Sequence, residues 1–382
     1  MTDFLIIGGG IAGLSAAASL ARHGKVVVLE AEEALGYHSS GRSVSFSHFG
    51  IGNAAVRGLT AWSRTFFERQ PEGFAATPVG RPMDTLYTAS EAQLPALLAL
   101  QAEMARFTDA VEWIDAERLA ALCPVVRTGQ RAAERAILDR SGIKLDADAL
   151  LHGYAGQVRA AGGTVLAGRR VSRIEPGWTV RTESGESFAA PILVNAAGAW
   201  GDRVARMAGV APIGLQPKRR TIIVVDPPAG LDVAAWPFVH GGGHDFYMLP
   251  EAGQLLVSAA DEVDDDPSDA APDDYDVALA ADRLEHYTTL KVARIAHRWA
   301  GLRSFVADRT PTAGFDANAK GFFWLVGQGG YGLQTAPAMA AIVEALVTRA
   351  GWPEGLQRLG VTPALVAPER LSGGSSQNPQ PD

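Results

Sequence analysis

The chain has 382 residues, 47% of them hydrophobic and 20% charged, which excludes a disordered or fibrous protein. Its net charge of −8 argues against a nucleic-acid backbone as the main partner. Cys123 is the only cysteine, which excludes an internal disulfide and a cysteine-based zinc or iron–sulfur site. A single cysteine also favours a reducing compartment, so we predict a cytoplasmic protein.

The first thirty residues have the order strand, glycine-rich turn, helix, strand. Phe4–Ile7 and Val26–Leu29 are apolar runs, and residues 14–22 between them are rich in alanine, which is the pattern of a βαβ unit. The segment 4–21 carries no charge, but it contains four glycines and follows no basic region. We therefore predict no membrane span there.

The turn of this unit, residues 8–13, reads GGGIAG and matches the dinucleotide fingerprint G-x-G-x-x-G. Gly8 permits the tight turn, Gly10 lets the backbone approach a pyrophosphate, and Gly13 allows close packing of the helix, whose N-terminus offers free N–H groups. Glu30 ends the second strand, where its carboxylate can accept hydrogen bonds from a ribose. This motif alone fits both NAD and FAD.

Hydrophobic periodicity and turn residues predict the remaining elements. We predict helices over 60–67, 91–107, 146–161 and 336–349, and strands over 165–171, 178–182, 192–195, 221–225, 246–249, 254–258 and 322–326. Short turns join the middle strands, which indicates a mostly antiparallel sheet. The last strand, a glycine-rich loop and the last helix form a second unit like the first.

Two segments are predicted to lie outside the core. Nine carboxylates and no Lys or Arg lie between Asp261 and Asp276, and we expect a solvated loop rather than a cation site. The tail 372–382 has no hydrophobic residue and is expected to be disordered. The eight histidines are scattered without paired ligand spacing, so we predict no metal site.

Three separate glycine-rich junctions favour FAD over NAD. Residues 195–200 (NAAGAW) and 327–332 (GQGGYG) each follow a predicted strand, as 8–13 does. A nicotinamide dinucleotide is held mostly by its Rossmann halves, whereas the large, flat isoalloxazine needs contacts from several distant segments. We therefore predict a flavin.

Five longer motifs carry a resemblance to a known family. They are GYHSSGRS over 36–43, LVNAAGAW over 193–200, GLQPKRR over 214–220, WAGLRSF over 299–305 and GQGGYGLQ over 327–334. On these motifs the chain, up to about residue 371, resembles the D-amino-acid oxidase-like flavoproteins, and within them the bacterial D-arginine dehydrogenases. The resemblance implies an α/β, two-domain flavoprotein. A Rossmann-like FAD-binding domain would comprise 1–80, 145–212 and 300–370, and a mostly antiparallel substrate domain would comprise 81–144 and 213–299.

The resemblance also implies an activity, the oxidative deamination of a D-amino acid. Hydride would pass from the substrate Cα to flavin N5, and water would hydrolyse the imino acid to a keto acid and ammonia. The FAD is expected to be non-covalent, because no cysteine stands in the C-terminal segments where related sarcosine oxidases attach theirs. Attachment through a histidine stays open, and the electron acceptor is unknown.

Residue by residue, the resemblance implies two sets of contacts. The FAD contacts are Gly8, Gly10, Ala12, Gly13, Glu30, Ala31, Ser39, Ser40, Gly41, Arg42, Ser43, Val44, Ser45, Phe46, Val171, Gly198, Gly329, Gly330, Tyr331, Gly332, Leu333 and Gln334. Arg220 and Arg303 resemble the pair that clamps the substrate carboxylate, which suits two guanidinium forks. Tyr247 would hydrogen-bond that carboxylate, and the carbonyl of Gly330 would receive the amine. From the residues alone, Arg220 fits a solvated face, Arg303 fits a structural ion pair, and Tyr247 fits core packing.

The side-chain pocket departs from the D-arginine dehydrogenases. Met83 stands where those enzymes grip the guanidinium with a glutamate, and the neighbouring Asp84 would face the other side of a strand. Phe46 and Ile51 stand where their active-site loop has a histidine and a tyrosine, and Phe238 adds a further apolar side chain. We therefore expect apolar or aromatic D-amino acids to be preferred over D-arginine.

Alternatives remain at this point. His48 and His240 either recognise a polar or acidic substrate side chain or are ordinary packed or solvated histidines. A secondary-amine or N-methyl amino-acid oxidase, similar to sarcosine or glycine oxidases, is the second functional candidate. A flavin-binding module without turnover is the third, and the retained Arg220, Tyr247 and Arg303 argue against it.

Overall fold

The computed structural model of the chain describes residues 2–129 and 132–371, and the tail predicted to be disordered, 372–382, lies outside the described residues. The helices are α1 (Ile11–Leu20), α2 (Ala54–Glu68), α3 (Leu94–Met104), α4 (Ala116–Leu122), α5 (Ala147–Ala160), α6 (Gly201–Met207), α7 (Asp274–Tyr287), α8 (Gly332–Thr348) and α9 (Pro363–Val366). The strands are β1 (Phe4–Ile7), β2 (Val26–Leu29), β3 (Phe46–Ser47), β4 (Gly80–Pro82), β5 (Thr85–Ala89), β6 (Val111–Asp115), β7 (Arg135–Asp139), β8 (Ile143–Leu145), β9 (Thr164–Leu166), β10 (Val171–Glu175), β11 (Thr179–Thr182), β12 (Ser187–Ala189), β13 (Ile192–Asn195), β14 (Gln216–Val225), β15 (Phe238–His240), β16 (Tyr247–Glu251), β17 (Gln254–Ser258), β18 (Val263–Asp264), β19 (Ile295–Phe305), β20 (Thr312–Phe315) and β21 (Phe322–Val326).

A six-stranded sheet in the order β20-β21-β13-β1-β2-β9 forms the first layer. Every neighbouring pair is parallel except β20 and β21. Strands β1, β2 and β21 are buried along their whole length, because helices cover one face and α6 with a small antiparallel sheet, β10-β11-β12, covers the other. This is the arrangement that near-continuous apolar strands require, and it confirms the predicted α/β class.

Helix α1 is almost entirely buried between this sheet and helices α5 and α8. Its sequence, IAGLSAAASL, has small side chains on every face, which lets three elements approach it closely. The helix begins at Ile11, three residues before the predicted start, because Gly10 in an extended conformation serves as its N-cap. The βαβ unit predicted from the sequence is thereby confirmed.

A nine-stranded sheet forms the second layer, with the path β18-β14-β17-β16-β15-β5-β7-β6 and β19 beside β14. Its pairs are antiparallel except β15 with β5, which confirms the mostly antiparallel sheet. In the long β14–β19 ladder, Arg220 lies opposite Gly301 and Arg303 lies opposite Lys218. Since opposed residues share a face of the sheet, this register places Arg220 and Arg303 on the same face.

Some predicted boundaries are wrong for local reasons. The single strand predicted over 165–171 is two strands of different sheets, because the chain turns at Gly168, which has φ +65°. Helix α2 begins six residues before the predicted start, since the side chain of Asn53 caps it. Among the described residues, no helix is long and apolar enough to cross a membrane, and no metal-binding cluster of His, Cys, Asp or Glu occurs.

Candidate active site

One cavity of about 620 Å³ lies at the carboxyl ends of β1, β13 and β21 and is closed on the other side by β14, β15, β16 and β19. The carboxyl edge of a parallel sheet is the usual ligand site of such folds, and the volume suits a small-molecule site. Predicted site residues that line it are Gly10, Ala12, Ser39, Ser40, Arg42, Ser43, Val44, Phe46, His48, Ile51, Gly198, Arg220, Phe238, His240, Tyr247, Arg303, Gly329, Gly330, Tyr331, Gly332, Leu333 and Gln334. The structure therefore brings most of both predicted sets together.

The glycine-rich turn holds the N-terminus of α1 against this cavity. Gly8 has φ +114°, and a Cβ there would overlap the carbonyl of Ala196; a Cβ on Gly13 would overlap the carbonyl of Gly8. These two glycines therefore pack strand against helix and do not line the cavity. Gly10 does line it, and at the end of the helix the N–H of Ile11 donates to Oγ of Ser40 at 3.0 Å.

Other predicted cofactor residues also lie outside the cavity lining. They are Glu30, Ala31, Gly41, Ser45 and Val171. The carboxylate of Glu30 is buried and accepts the backbone N–H groups of Gly9 at 2.6 Å and of Glu32 at 2.9 Å. In this structure Glu30 therefore holds the glycine turn in place.

Arg220 and Arg303 form a pair of guanidiniums on the cavity wall. Nε and Nη2 of Arg220 donate to the carbonyls of Asp261 at 2.6 Å and Ala260 at 2.9 Å, which fixes the plane of its guanidinium. The Arg303 guanidinium lies against the α-carbon of Gly330. Burial and the like charge of Arg220 lower the pKa of Arg303 to about 10, so it remains a cation at neutral pH.

Glu262 and Arg309 complete this charged group, and the sequence did not predict either. Glu262 accepts hydrogen bonds from Arg303 at 3.2 Å and from Arg309 at 2.9 Å, and it lies 3.7 Å from Arg220. The guanidinium of Arg309 stacks on the ring of Phe305 at 3.8 Å. Both carboxylate oxygens of the buried Asp261 accept the N–H of Thr221, and one lies 3.7 Å from Arg220. In formal charge three guanidiniums face two carboxylates, and burial raises the pKa of Asp261, so the group has an excess of positive charge.

The segment 261–276, predicted to be a solvated loop, is one only in part: the side chains of Asp264, Asp269 and Asp274 are exposed, whereas that of Asp261 is buried. Asp276 is buried and pairs with Arg219 at 3.1 Å, and Asp264 pairs with Lys218. The basic triplet 218–220 on β14 needs counter-charges, and the acidic segment supplies them. The opposite charges of the segments 218–220 and 261–276 were the sequence signal that could have predicted their contact and identified Glu262 as a site residue.

Aromatic rings and two histidines form the far end of the cavity. Tyr87, His240 and Tyr247 are neighbours across β5, β15 and β16, so their side chains share one face of the sheet. His48 packs over this row, with its ring 5.2 Å from that of His240 and its Nδ1 2.6 Å from the hydroxyl of Tyr87. Burial, followed by nearby cationic groups, lowers the pKa of His48 to about 3 and that of His240 well below its usual value. Both imidazoles are therefore neutral at physiological pH.

Comparison with known proteins agrees with this geometry. The model of the family described as "FAD dependent oxidoreductase" (DAO) matches residues 3–346. The chain belongs to this family. FAD-dependent oxidoreductase domain-containing protein 1 of Xenopus laevis is 27% identical over 186 residues, and the match covers 44% of this chain and 36% of that protein. This chain thus spans about a third of that curated relative.

Two further proteins are similar over most of their length. The peroxisomal sarcosine oxidase of Homo sapiens is 28% identical over 367 residues, which cover 89% of this chain and 90% of that protein. The crystal structure of glycine oxidase from Geobacillus kaustophilus superposes with a TM-score of 0.80 at 20% identity, over 94% of this chain and 98% of that one. This second likeness shows the shared fold.

The residues of the cavity fit the FAD of the family. The N-terminus of α1 offers N–H groups and a positive dipole to a pyrophosphate. Deeper in, Ser304 Oγ, Gln328 Nε2 and His240 Nε2 line the cavity as buried polar atoms without a hydrogen-bond partner among the described residues, as a polar ligand requires. Cys123 is buried in a separate apolar cluster and does not line the cavity, so it cannot attach the flavin.

Met83 does not occupy the place that the sequence predicts for it. Its side chain is only 7% exposed and belongs to an apolar cluster with Phe46, Phe238 and Leu249, behind the cavity wall. Neither Met83 nor its neighbour Asp84, which join β4 to β5, is part of the cavity lining. The apolar character expected of the pocket comes instead from Phe46, Ile51 and Phe238, which do line it.

Proposed function

We propose that this protein uses FAD to oxidise the Cα–N bond of a D-amino acid that has an uncharged side chain. The observation that carries the proposal is the adjacent pair Arg220 and Arg303 beside Tyr247, in the same cavity as the N-terminus of α1. Oxidation of an amino acid requires a carboxylate clamp in the same cavity as the redox cofactor, because the clamp orients the α-carbon.

The clamp formed by Arg220, Arg303 and Tyr247 has hydrogen-bond donors available for a carboxylate. Among the described residues, Nη1 of Arg220, Nε and Nη2 of Arg303 and the hydroxyl of Tyr247 have no protein hydrogen-bond partner. The group of arginines and carboxylates carries an excess of positive charge, which suits a substrate with one negative charge. An amino acid with a neutral amine and an uncharged side chain is such an anion.

Bound FAD supplies the two-electron oxidant of this reaction. The residues of the chain hold the carboxylate, and the positive clamp favours the amine in its neutral form, from which the electrons are released. The substrate loses two electrons and two protons, and water hydrolyses the resulting imino acid to a keto acid and ammonia. Activity should therefore rise with pH until the bound amine is neutral.

The proposed side-chain preference rests on the far end of the cavity. Phe46, Ile51 and Phe238 present apolar surface, and His48 and His240 are neutral. No carboxylate of the lining lies at this end to pair with a guanidinium, so apolar or aromatic side chains should be preferred over that of D-arginine. The D configuration and the kinship with D-arginine dehydrogenases rest on the five sequence motifs alone.

The domain division is part of the proposal. The segments 1–80, 145–212 and 300–370 contain β1, β2, β9, β13, β20 and β21, that is, the whole six-stranded sheet. The segments 81–144 and 213–299 contain most of the nine-stranded sheet, in which β19 runs across a boundary. Strands β4 and β8, which belong to the three-stranded sheet β3-β8-β4, also run across boundaries. We propose the first set as the FAD-binding domain and the second as the substrate domain.

Oxidation of a secondary amine is the second candidate, and the comparisons favour it. The match to a sarcosine oxidase covers 90% of that protein, and the fold is that of a glycine oxidase. The carboxylate clamp serves sarcosine as well as a D-amino acid, since both carry one carboxylate. The two candidates differ in whether N-methyl or cyclic amines reduce the flavin faster than primary amines.

The test is anaerobic mixing of the purified holoenzyme with D- and L-amino acids, sarcosine, D-proline and a 2-hydroxy acid. Bleaching of the flavin by primary D-amino acids, with ammonia as a product, is the expected result. Faster bleaching by sarcosine or D-proline would establish the second candidate. Bound FAD that none of these compounds bleaches would refute both and leave a flavin-binding module. Admitting air and timing reoxidation then reports whether O2 is the acceptor.

A further inference from the structure

A hydrogen-bond chain fixes the orientation of His48 in the wall of the cavity. The hydroxyl of Tyr87 lies 2.6 Å from Nδ1 of His48, and the backbone N–H of Gly50 faces the same hydroxyl oxygen. Among the described residues, this hydroxyl has no other acceptor than Nδ1 of His48. Because a buried phenol donates its proton where it can, Tyr87 donates to Nδ1, and the imidazole proton resides on Nε2.

The Nε2–H of His48 is then an unused donor in the cavity. Nε2 has no protein hydrogen-bond partner among the described residues, and the residue lines the cavity while being 5% exposed. Its ring is held between the rings of Phe46 at 5.7 Å, Phe238 at 5.8 Å and His240 at 5.2 Å, so it cannot swing out to water. A fixed donor in an aromatic wall selects a ligand that brings an acceptor.

The charges that face His48 indicate that this acceptor is uncharged. Arg57 and Arg303 are the nearest cations, but Arg57 donates to the carbonyl of Phe49 and lies 3.7 Å from Glu103. Arg303 is committed to Glu262 and to the substrate carboxylate. His244 and His240 complete the surroundings of His48, and burial keeps His240 neutral. Among the described residues, no arginine or lysine at this end is left to pair with a second carboxylate.

We propose that His48, oriented by Tyr87, donates its Nε2–H to an uncharged oxygen acceptor, an amide or a hydroxyl, on the substrate side chain. This inference rests on the proposed function and narrows it. Among uncharged side chains, one that carries an acceptor oxygen is favoured over a hydrocarbon of the same shape. Aromatic contacts with Phe46 and Phe238 align the flat amide group with the donor.

The test compares D-asparagine with D-leucine, which have nearly the same shape and differ in hydrogen bonding. We expect kcat/KM to favour D-asparagine, and also to favour it over D-aspartate. His48→Asn keeps an acceptor for Tyr87 but lacks the Nε2–H, so it should reduce the D-asparagine to D-leucine ratio by about 10- to 100-fold. His48→Gln, which places an amide N–H near the position of Nε2, should restore part of the ratio. His152→Asn, at an exposed histidine on α5, is the matched control and should leave it unchanged.

Three results would overturn the inference: a preference for D-leucine, a preference for D-aspartate, or a ratio that His48→Asn leaves unchanged. A binding measurement separates this failure from failure of the proposed function. Succinamate and 4-methylpentanoate correspond to D-asparagine and D-leucine with hydrogen in place of the amino group. Their Kd values are measured from the change in the flavin spectrum of the holoenzyme. If no amino acid bleaches the flavin, the proposed function fails. The inference then stands only if succinamate binds more tightly and His48→Asn removes the difference.

Discussion

Replacing Gly330 with alanine tests whether the substrate carboxylate depends on the position of Arg303. A Cβ on Gly330 would overlap the guanidinium of Arg303, and the nearest atoms are Nη2, Cζ and Nε. These atoms are the end of a flexible side chain, so the arginine moves while the backbone stays in place. The guanidinium must shift by more than about 1 Å, which is enough to break a hydrogen bond of ordinary length.

The size of the effect follows from the kind of contact that is lost. Removing one partner of a buried, hydrogen-bonded charge pair costs about 2–5 kcal/mol. Displacement leaves Arg220 and part of the Coulomb attraction in place, so we expect the lower end, about 2 kcal/mol, or roughly 30-fold weaker carboxylate binding. The apparent Kd of a carboxylate inhibitor and the KM of the amino-acid substrate should rise together. Because Gly330 is also a predicted FAD contact, the ratio of flavin to protein absorbance is measured on the same preparations, and Kd and KM are compared for the FAD-loaded fraction.

The assay is a titration of the flavin absorbance with a simple carboxylate, combined with steady-state kinetics on the same preparations. Gly156→Ala is the matched control, because a Cβ at this α5 position meets nothing within 4 Å and its φ is not in the left-handed region. The control should bind carboxylate as the wild type does. Unchanged Kd and KM values in Gly330→Ala would refute the assignment of Arg303 to the carboxylate clamp.

Three more predictions follow from the same contacts. Glu262→Gln removes a carboxylate that occupies Arg303, so carboxylate ligands should bind a few-fold more tightly in the flavin titration; weaker binding would show that Glu262 orients the arginine. Gly13→Ala places a Cβ on the carbonyl of Gly8, so the variant should lose most of its FAD, as the ratio of flavin to protein absorbance reports. The pKa of His48 falls from 6.5 unfolded to about 3 folded, so unfolding takes up a proton in acid and stability falls as pH drops below about 6.5. In urea unfolding, His48→Gln should lose about 2 kcal/mol less than wild type between pH 7 and pH 5, and equal losses would contradict a neutral His48.

The sequence predicts those parts of the fold that local patterns determine. The strands Phe4–Ile7, Val26–Leu29, Ile192–Asn195 and Phe322–Val326 have the predicted bounds, because each is a short apolar run between turn residues. Local patterns do not determine which strands pair with each other. Strand β14 extends back to Gln216 because β18 and β19 lie beside it, and no local pattern indicates partners so distant in sequence.

The same distinction applies to the site. Motifs 214–220 and 299–305 correctly indicated that Arg220 and Arg303 lie in one cavity. The place of Met83 could not be predicted, since one turn between β4 and β5 decides which side chain faces the ligand. Glu262 was missed for another reason. A run of carboxylates ordinarily indicates a solvated surface, and only the sheet register brings this run beside β14.

The positive charge of the carboxylate clamp affects the protonation of His48. Burial, then the charges of Arg57 and Arg303, keep the pKa of His48 low, so one of the two arginines proposed to bind the substrate carboxylate also acts on His48. A protonated His48 would give the far end of the cavity a cation and turn it into a site for a second carboxylate. Because that pKa is about 3, this change does not occur between pH 5 and pH 9, so the order of preference among amide, hydrocarbon and carboxylate side chains should be constant over that range. A kcat/KM profile in which D-aspartate overtakes D-asparagine as pH falls towards 5 would mean that His48 takes up a proton in the complex, and that burial is weaker there than the packing of Phe46 and Phe238 indicates.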